Sequence, residues 1–240
     1  VQDSSPSFPS AHKDVWTPTP PPGLAQPTIP ADEQAFLAGH DLIHGDTSRS
    51  VVMMSYDDAK DSARVNHILD VYREYGMHTT FFIIGTDLDA CKESLPRIIA
   101  EGHDLGCHGW DHLSPMTSLP DNAINNQFGQ YLYKVNQYLP GYRVKFFRAP
   151  FGDRNDRVRE LAAAWGMQHV LWSLESGGED KSTYHNVVDR AQPGDIVLSH
   201  AFRYFDVNDA EVIVRELIRK GYNLENLSSG AAPADKWKTS

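Results

Sequence analysis

The sequence predicts an α/β protein built on a parallel sheet, and three observations carry that prediction. From about residue 50, short runs of β-branched and aromatic residues alternate with segments of helical period, as parallel strands joined by crossover helices require. Glycines and Pro-Gly steps separate many of these segments. Polar and titratable residues gather directly after the strand runs, where α/β folds build their sites. The chain has 240 residues, 40% of them hydrophobic, so one sizeable core and a single domain over residues 31–240 are expected.

The elements follow in order. Val51–Tyr56 is a short apolar strand run. Ala63–Tyr75 places Val65, Ile68, Leu69, Tyr72 and Tyr75 at helical spacing and stops at Gly76. Thr79–Ile84 is β-rich and ends at Gly85. Leu95–Ala100 reads as a short helix closed by Gly102, and Asp104–His108 as the third strand. Asp121–Leu139 is a polar amphipathic helix, and Val144–Arg148 is a strand broken by Pro150. Arg157–Trp165 is a helix ended by Gly166, followed by a fifth strand at Gln168–Leu174. Tyr184–Arg190 is a helix before the Pro193-Gly194 turn, and Asp195–His200 is the sixth strand. Ala210–Lys220 is the last helix and Tyr222–Leu227 the last strand. This alternation fits a closed or nearly closed barrel and an open doubly wound sheet equally well.

Residues 1–30 hold eight of the 15 prolines and are expected to form an extended, non-helical N-terminal arm. The formal net charge of −10 argues against nucleic-acid binding through phosphate contacts. No apolar run reaches the ~18 residues that span a bilayer. A first residue of Val with no basic–apolar leader suits either a processed secreted protein or a trimmed chain. Cys91 and Cys107 form either a disulfide or two separate thiols, and Asn226-Leu227-Ser228 is a lone glycosylation acceptor. These features lean towards a secreted or cell-wall associated protein, expected to be a monomer.

The strand ends carry the chemistry. The first run ends in Asp57-Asp58, two adjacent carboxylates that repel one another and each need a partner. The third ends at His108 with His112 four residues on, a spacing that lets both imidazoles reach one ion. Two histidines and an aspartate make a usual catalytic-metal shell, although His-x-x-x-His alone is equally two unrelated surface histidines. Together with the Asp pair, the metal reading prevails: one Asp binds the ion and the other accepts a proton from water. Arg148 ends the fourth run, Glu175 lies near the end of the fifth, and His200 ends the sixth as a candidate general acid. Trp110, between the two histidines, is a candidate wall for a sugar ring, with Phe202 and Tyr204 as further faces. Trp172, mid-strand, is expected in the core.

Ser55-Tyr56-Asp57-Asp58, His108 with His112, Arg148-Ala149-Pro150-Phe151 and Leu198-Ser199-His200, in this order, resemble the motifs of the polysaccharide deacetylase (NodB-like) family, carbohydrate esterase family 4. The resemblance covers roughly residues 50–227 and is strongest for chitin deacetylase-like members. It implies a distorted (β/α)7 barrel and one divalent metal ion, zinc first, with cobalt or another transition metal as alternatives. It implies that Asp57 is the general base, that Asp58, His108 and His112 hold the metal, and that Arg148 orients and ionises Asp57. The same resemblance puts Tyr56 and the backbone N–H near Phe151 on the substrate and oxyanion side. Leu198 lines the acetyl pocket and His200 is the acid. The implied substrate is an N-acetylated polysaccharide or oligosaccharide, chitin first. Poly-N-acetylglucosamine, peptidoglycan, acetylxylan and a non-sugar amide are alternatives, as is a catalytically silent glycan-binding role. Three departures stand out: Ala59-Lys60 follows the Asp pair in place of Gly-Pro, Glu175 stands where the family has an Asp that bonds the acid histidine, and Ala201 follows His200 in place of Asp.

Overall fold

The computed structural model describes residues 25–231, so the expected N-terminal arm lies, up to residue 24, outside the described residues. The parallel sheet consists of β1 (Val51–Asp57), β2 (Thr80–Ile83), β3 (Asp104–Cys107), β4 (Phe146–Phe147), β5 (Gln168–His169), β6 (Leu174–Glu175), β7 (Ile196–His200) and β8 (Asn223–Leu224). Its order is β5-β4-β3-β2-β1-β7-β6, with β8 also paired to β1. The helices are α1 (Ala31–Ala38), α2 (Ser62–Tyr75), α3 (Leu95–Ala100), α4 (Asp121–Tyr138), α5 (Asp156–Ala164), α6 (Tyr204–Asn208), α7 (Ala210–Arg219) and α8 (Leu227–Gly230). This is the distorted (β/α)7 barrel that the sequence implied, rather than the doubly wound sheet.

The sheet does not close through β5 and β6. The segment before β1 crosses that gap: Leu42 N–H donates to His169 O at 2.9 Å, and Leu171 N–H donates back to Leu42 O at 2.8 Å. Farther along, Gly45 N–H bonds Gly194 O at 2.8 Å. The backbone of residues 42–45 thus pairs groups that would otherwise form an open edge.

Strand alternation divides the core in two. From β1, Val52, Met54 and Tyr56 point to the helix layer with Val65, Leu69 and Phe81. Val51 and Met53 point into the barrel with Phe82, Phe146, Val170 and Ile196. Ser55 and Asp57 continue that inward row. The register sets Asp57 beside His200 on one side and Phe82 on the other, so base and acid candidates share one end of the barrel by strand pairing alone.

The structure corrects several sequence expectations. The fifth strand is two short ones, because the Val170 and Leu171 carbonyls turn to Arg148 and Leu171 N–H pairs with residue 42. Tyr184–Arg190 forms only a single wide turn at His185–Asp189. The helix α1 was not legible, since only Leu37 of it is buried and no apolar period exists to read. Cys91 and Cys107 are buried free thiols, so there is no disulfide; burial raises both, Cys91 to about 12. No helix among the described residues is long and apolar enough to cross a membrane.

His103, before β3, accepts the Thr79 N–H on its Nδ1 at 3.0 Å, so it must be neutral there. Burial lowers its pKa to about 4. The unfolded chain takes up a proton near pH 6.5 and the folded chain does not until about 4, so His103 removes stability as pH falls through that window. The slope from this group is at most about 1.4 kcal/mol per pH unit. His103→Asn keeps an acceptor and does not titrate. Urea unfolding at pH 7.5 and pH 5 should show the stability of wild type relative to this variant falling at the lower pH; a constant difference would rule the effect out.

Candidate active site

Three residues other than glycine adopt left-handed backbone among the described residues: Asp58 at φ 56°, His112 at φ 60° and Phe151 at φ 57°. All three line the same cavity. Such conformations are sterically unfavourable for L-residues and persist where the surroundings enforce them, which marks this end of the barrel as a functional site.

Asp57 and Asp58 separate because the chain leaves the strand between them. Asp57 keeps the inward strand direction and is 3% exposed. Its Oδ1 accepts from Arg148 Nη1 at 2.7 Å. Burial raises the Asp57 carboxyl, and the Arg148 cation opposes that rise. Asp58 turns at its positive φ, and its Oδ1 lies 3.5 Å from His108 Nε2 and 3.6 Å from His112 Nε2. That oxygen is buried with no hydrogen-bond partner. His108 Nδ1 is 2.8 Å from the Arg148 carbonyl, which can only accept. The proton therefore sits on Nδ1, and Nε2 presents a bare lone pair towards Asp58. Burial lowers His108 to about 4, which keeps it neutral. One orphaned carboxylate oxygen facing two imidazole nitrogens, all within 4.8 Å, fits a divalent metal ion.

Arg148 is fully buried. It donates to Ser55 Oγ at 2.9 Å, Asp57 at 2.7 Å and Leu171 O at 2.9 Å, and lies 4.2 Å over the Phe82 ring. The loop after it is held by His169, whose Nε2 accepts from Ala149 N–H at 3.3 Å while its Nδ1 bonds Asp41 at 2.8 Å. Phe151 is 77% exposed and meets His112 edge-on at 4.9 Å.

The cavity measures about 440 Å³, within the usual range for small-ligand sites. Asp57, Asp58, His108, His112, Phe151, Glu175, Leu198 and His200 all line it, as expected. Arg148 is not part of the lining and lies beneath it, bonded to Asp57. Of two aromatic expectations one fails and one holds in part: Trp110 packs against Gly85, where a Cβ would lie 2.4 Å from its ring, and is not among the cavity-lining residues, whereas Trp172 packs partly buried against the barrel core and also lines the cavity with Phe202. Tyr56 is also corrected. Strand alternation turns it to the helix layer, 1% exposed and beside Tyr72. Tyr204 is 71% exposed and outside the cavity lining. Glu175 lies on the cavity rim with its side chain exposed and makes no hydrogen bond to His200, because β6 ends there and leaves the longer side chain in solvent. Ala59 is buried and Lys60 pairs with Asp87 at 2.6 Å, so the altered pair closes its loop against the next one.

Gln127 was not legible as a site residue. It lies on α4, 4% exposed, and its Oε1 accepts from Trp110 N–H at 2.7 Å and Asp111 N–H at 3.3 Å. Its Nε2 donates to Asp111 Oδ1 at 2.9 Å. One amide thus pins the loop between the two histidines. The only signal in the sequence is a polar residue where α4 turns inward.

The Polysaccharide deacetylase family profile matches residues 44–170. The chain is 30% identical to a peptidoglycan-N-acetylglucosamine deacetylase of Bacillus cereus over 75% of this chain and 88% of that protein. It is 32% identical to chitin deacetylase 1 of Cryptococcus neoformans over 54% of this chain and 27% of that one. A CE4 family pseudoenzyme from Bacillus anthracis superimposes with a TM-score of 0.72 over 79% of this chain and 68% of its own, at 20% identity, a likeness of fold alone. An α/β barrel with a two-His, one-Asp cluster at its strand ends is a scaffold whose site fits a metal ion. The chain belongs to the polysaccharide deacetylase family.

Gln127→Leu removes the clamp on the histidine loop without touching a ligand atom. Zinc affinity, read by competition with a chromogenic chelator, should fall about 10–100-fold, as for other residues that orient metal ligands. An unchanged affinity would mean the loop holds its shape alone.

Proposed function

We propose that this protein is a metal-dependent hydrolase that removes N-acetyl groups from N-acetylglucosamine residues of a polysaccharide. The observation that carries the reading is the convergence of Asp57, the Asp58–His108–His112 set and His200 on one cavity. Asp58, His108 and His112 would hold a divalent ion, zinc first, which when bound would supply Lewis acidity towards the acetyl carbonyl and the attacking water. Asp57, raised by burial and steadied by Arg148, takes the proton from the attacking water. The N–H near Phe151 meets the charge that develops on the carbonyl oxygen. Leu198 and Trp172 form the apolar wall for the acetyl methyl. His200 gives its proton to the nitrogen as the C–N bond breaks, since an amine leaves poorly unless protonated.

The relatives named for peptidoglycan and chitin share the N-acetylglucosamine unit, and that unit is the substrate proposed here. The polymer around it is proposed to lie across the exposed Phe151 and Phe202 rings. The CE4 pseudoenzyme shows that such a fold can stand without activity. Here the residues proposed as base, ligands and acid line one cavity, which supports an active enzyme.

The test is acetate release from chitin oligomers and from peptidoglycan, as purified, after chelation, and after adding back zinc or cobalt. Activity lost on chelation and restored by metal is expected on at least one of the two. His200→Ala should lower the rate by about 10²–10⁴-fold, the usual contribution of a positioned acid. Absence of acetate from both polymers under every metal would make a silent glycan-binding protein the better reading.

A further inference from the structure

The peptide unit between Arg148 and Ala149 is bonded at both ends to a histidine ring. Its carbonyl accepts the Nδ1–H of His108 at 2.8 Å, and its N–H donates to Nε2 of His169 at 3.3 Å. His169, in β5, is fully buried, and its Nδ1 lies 2.8 Å from Asp41 Oδ1. Neither His169 nor Asp41 lines the cavity. The two partners of His169 fix its proton. A main-chain N–H only donates, so Nε2 is bare; an ionised carboxylate only accepts, so the proton is on Nδ1. Burial would raise the Asp41 carboxyl, but the bonds from His169 and Arg154 outweigh it and hold the group at about 2. Burial lowers the His169 pKa, which keeps the ring neutral.

Asp41 is delivered by the segment that crosses the open side of the barrel. Leu42 N–H pairs with His169 O and Leu171 N–H with Leu42 O, which sets Asp41 beside the His169 side chain. Arg154 at 3.1 Å and Arg159 at 3.6 Å also hold its carboxylate. A chain of hydrogen bonds therefore runs from Asp41 through His169 and the 148–149 peptide to His108. Turning that peptide over would set an N–H against the His108 Nδ1–H and a carbonyl against the bare His169 Nε2, so both rings oppose the flip.

We propose that Asp41 and His169 are a positioning pair for His108: they lock the 148–149 peptide in the orientation that keeps the His108 proton on Nδ1 and leaves Nε2 free for a metal ion. This rests on the reading of Asp58, His108 and His112 as the metal set. The pair touches neither ion nor substrate and acts through one peptide. The segment that completes the sheet thereby also serves the site.

The test uses the full chain with isotope-labelled histidine, first metal-free by NMR and then titrated with zinc against a chromogenic chelator. In metal-free wild type the His108 ring should carry its proton on Nδ1. His169→Leu removes the acceptor of the Ala149 N–H. It should give a mixed His108 tautomer and lower zinc affinity about 10-fold, the lower end of what groups that orient metal ligands contribute. His169→Gln offers an amide oxygen to the same N–H and should restore both. Leu fills the space as well as Gln does, so a packing defect would not separate the two. Asp41→Ala leaves the ring in place, should move both readouts in the direction of His169→Leu, and decides the matter if that variant does not fold. A pure Nδ1 tautomer of His108 with wild-type zinc affinity in these two variants overturns the assignment. Failure of wild type to bind zinc removes the metal reading of the site, while the metal-free ring spectra still decide whether the pair locks His108.

Discussion

The pairing of Arg148 with Asp57 inside the barrel is the constraint on which the site depends. A guanidinium taken wholly out of water is strongly penalised unless its donors are used and its charge is matched. Here the charge is matched by Asp57, and the remaining donors go to Ser55 and to the Val170 and Leu171 carbonyls, with Phe82 beneath the plane. Those partners come from β1, β2 and the chain after β5. Meeting them bends the fifth strand in two and leaves the barrel to be completed by residues 42–45. The buried ion pair and the irregularity of the fold are one feature.

A second constraint is the backbone at the strand ends. If β1 continued past Asp57, Asp58 would point away from Asp57, towards the helix layer. The left-handed turn at Asp58 brings it back over the cavity, and the similar turn at His112 brings the second imidazole to it. Gln127 and the backbone of residues 85–86 hold the histidine loop from two sides. The strain is local, and the buried hydrogen bonds around it are what sustain it.

Much of this was legible beforehand. Asp57, Asp58, His108, Arg148 and His200, the candidates for base, metal ligands and acid, lie at or beside strand ends, and residue chemistry at strand ends survives modest errors in strand boundaries. The aromatic assignments were less legible. Trp110 lies off the cavity and Trp172 both packs on the barrel core and lines the cavity, because nothing in a linear pattern tells that Gly85 makes room for one ring while the broken fifth strand exposes part of the other. Tyr56 sits inside a motif, yet period-two alternation sends it to the opposite face from Asp57.

By itself the sequence determined the alternation of strands and helices, the order of the polar strand ends, and the residue types able to bind a metal and move protons. These are local properties, set by periodicity and side-chain chemistry. Only the tertiary structure decided that residues 42–45 complete the sheet, that Gln127 clamps the loop between His108 and His112, and that the Asp206 carboxylate accepts the His200 main-chain N–H. Each of those depends on contacts between segments distant in the chain or beyond a strand end, where packing and buried hydrogen-bond satisfaction choose the partner and no spacing rule does.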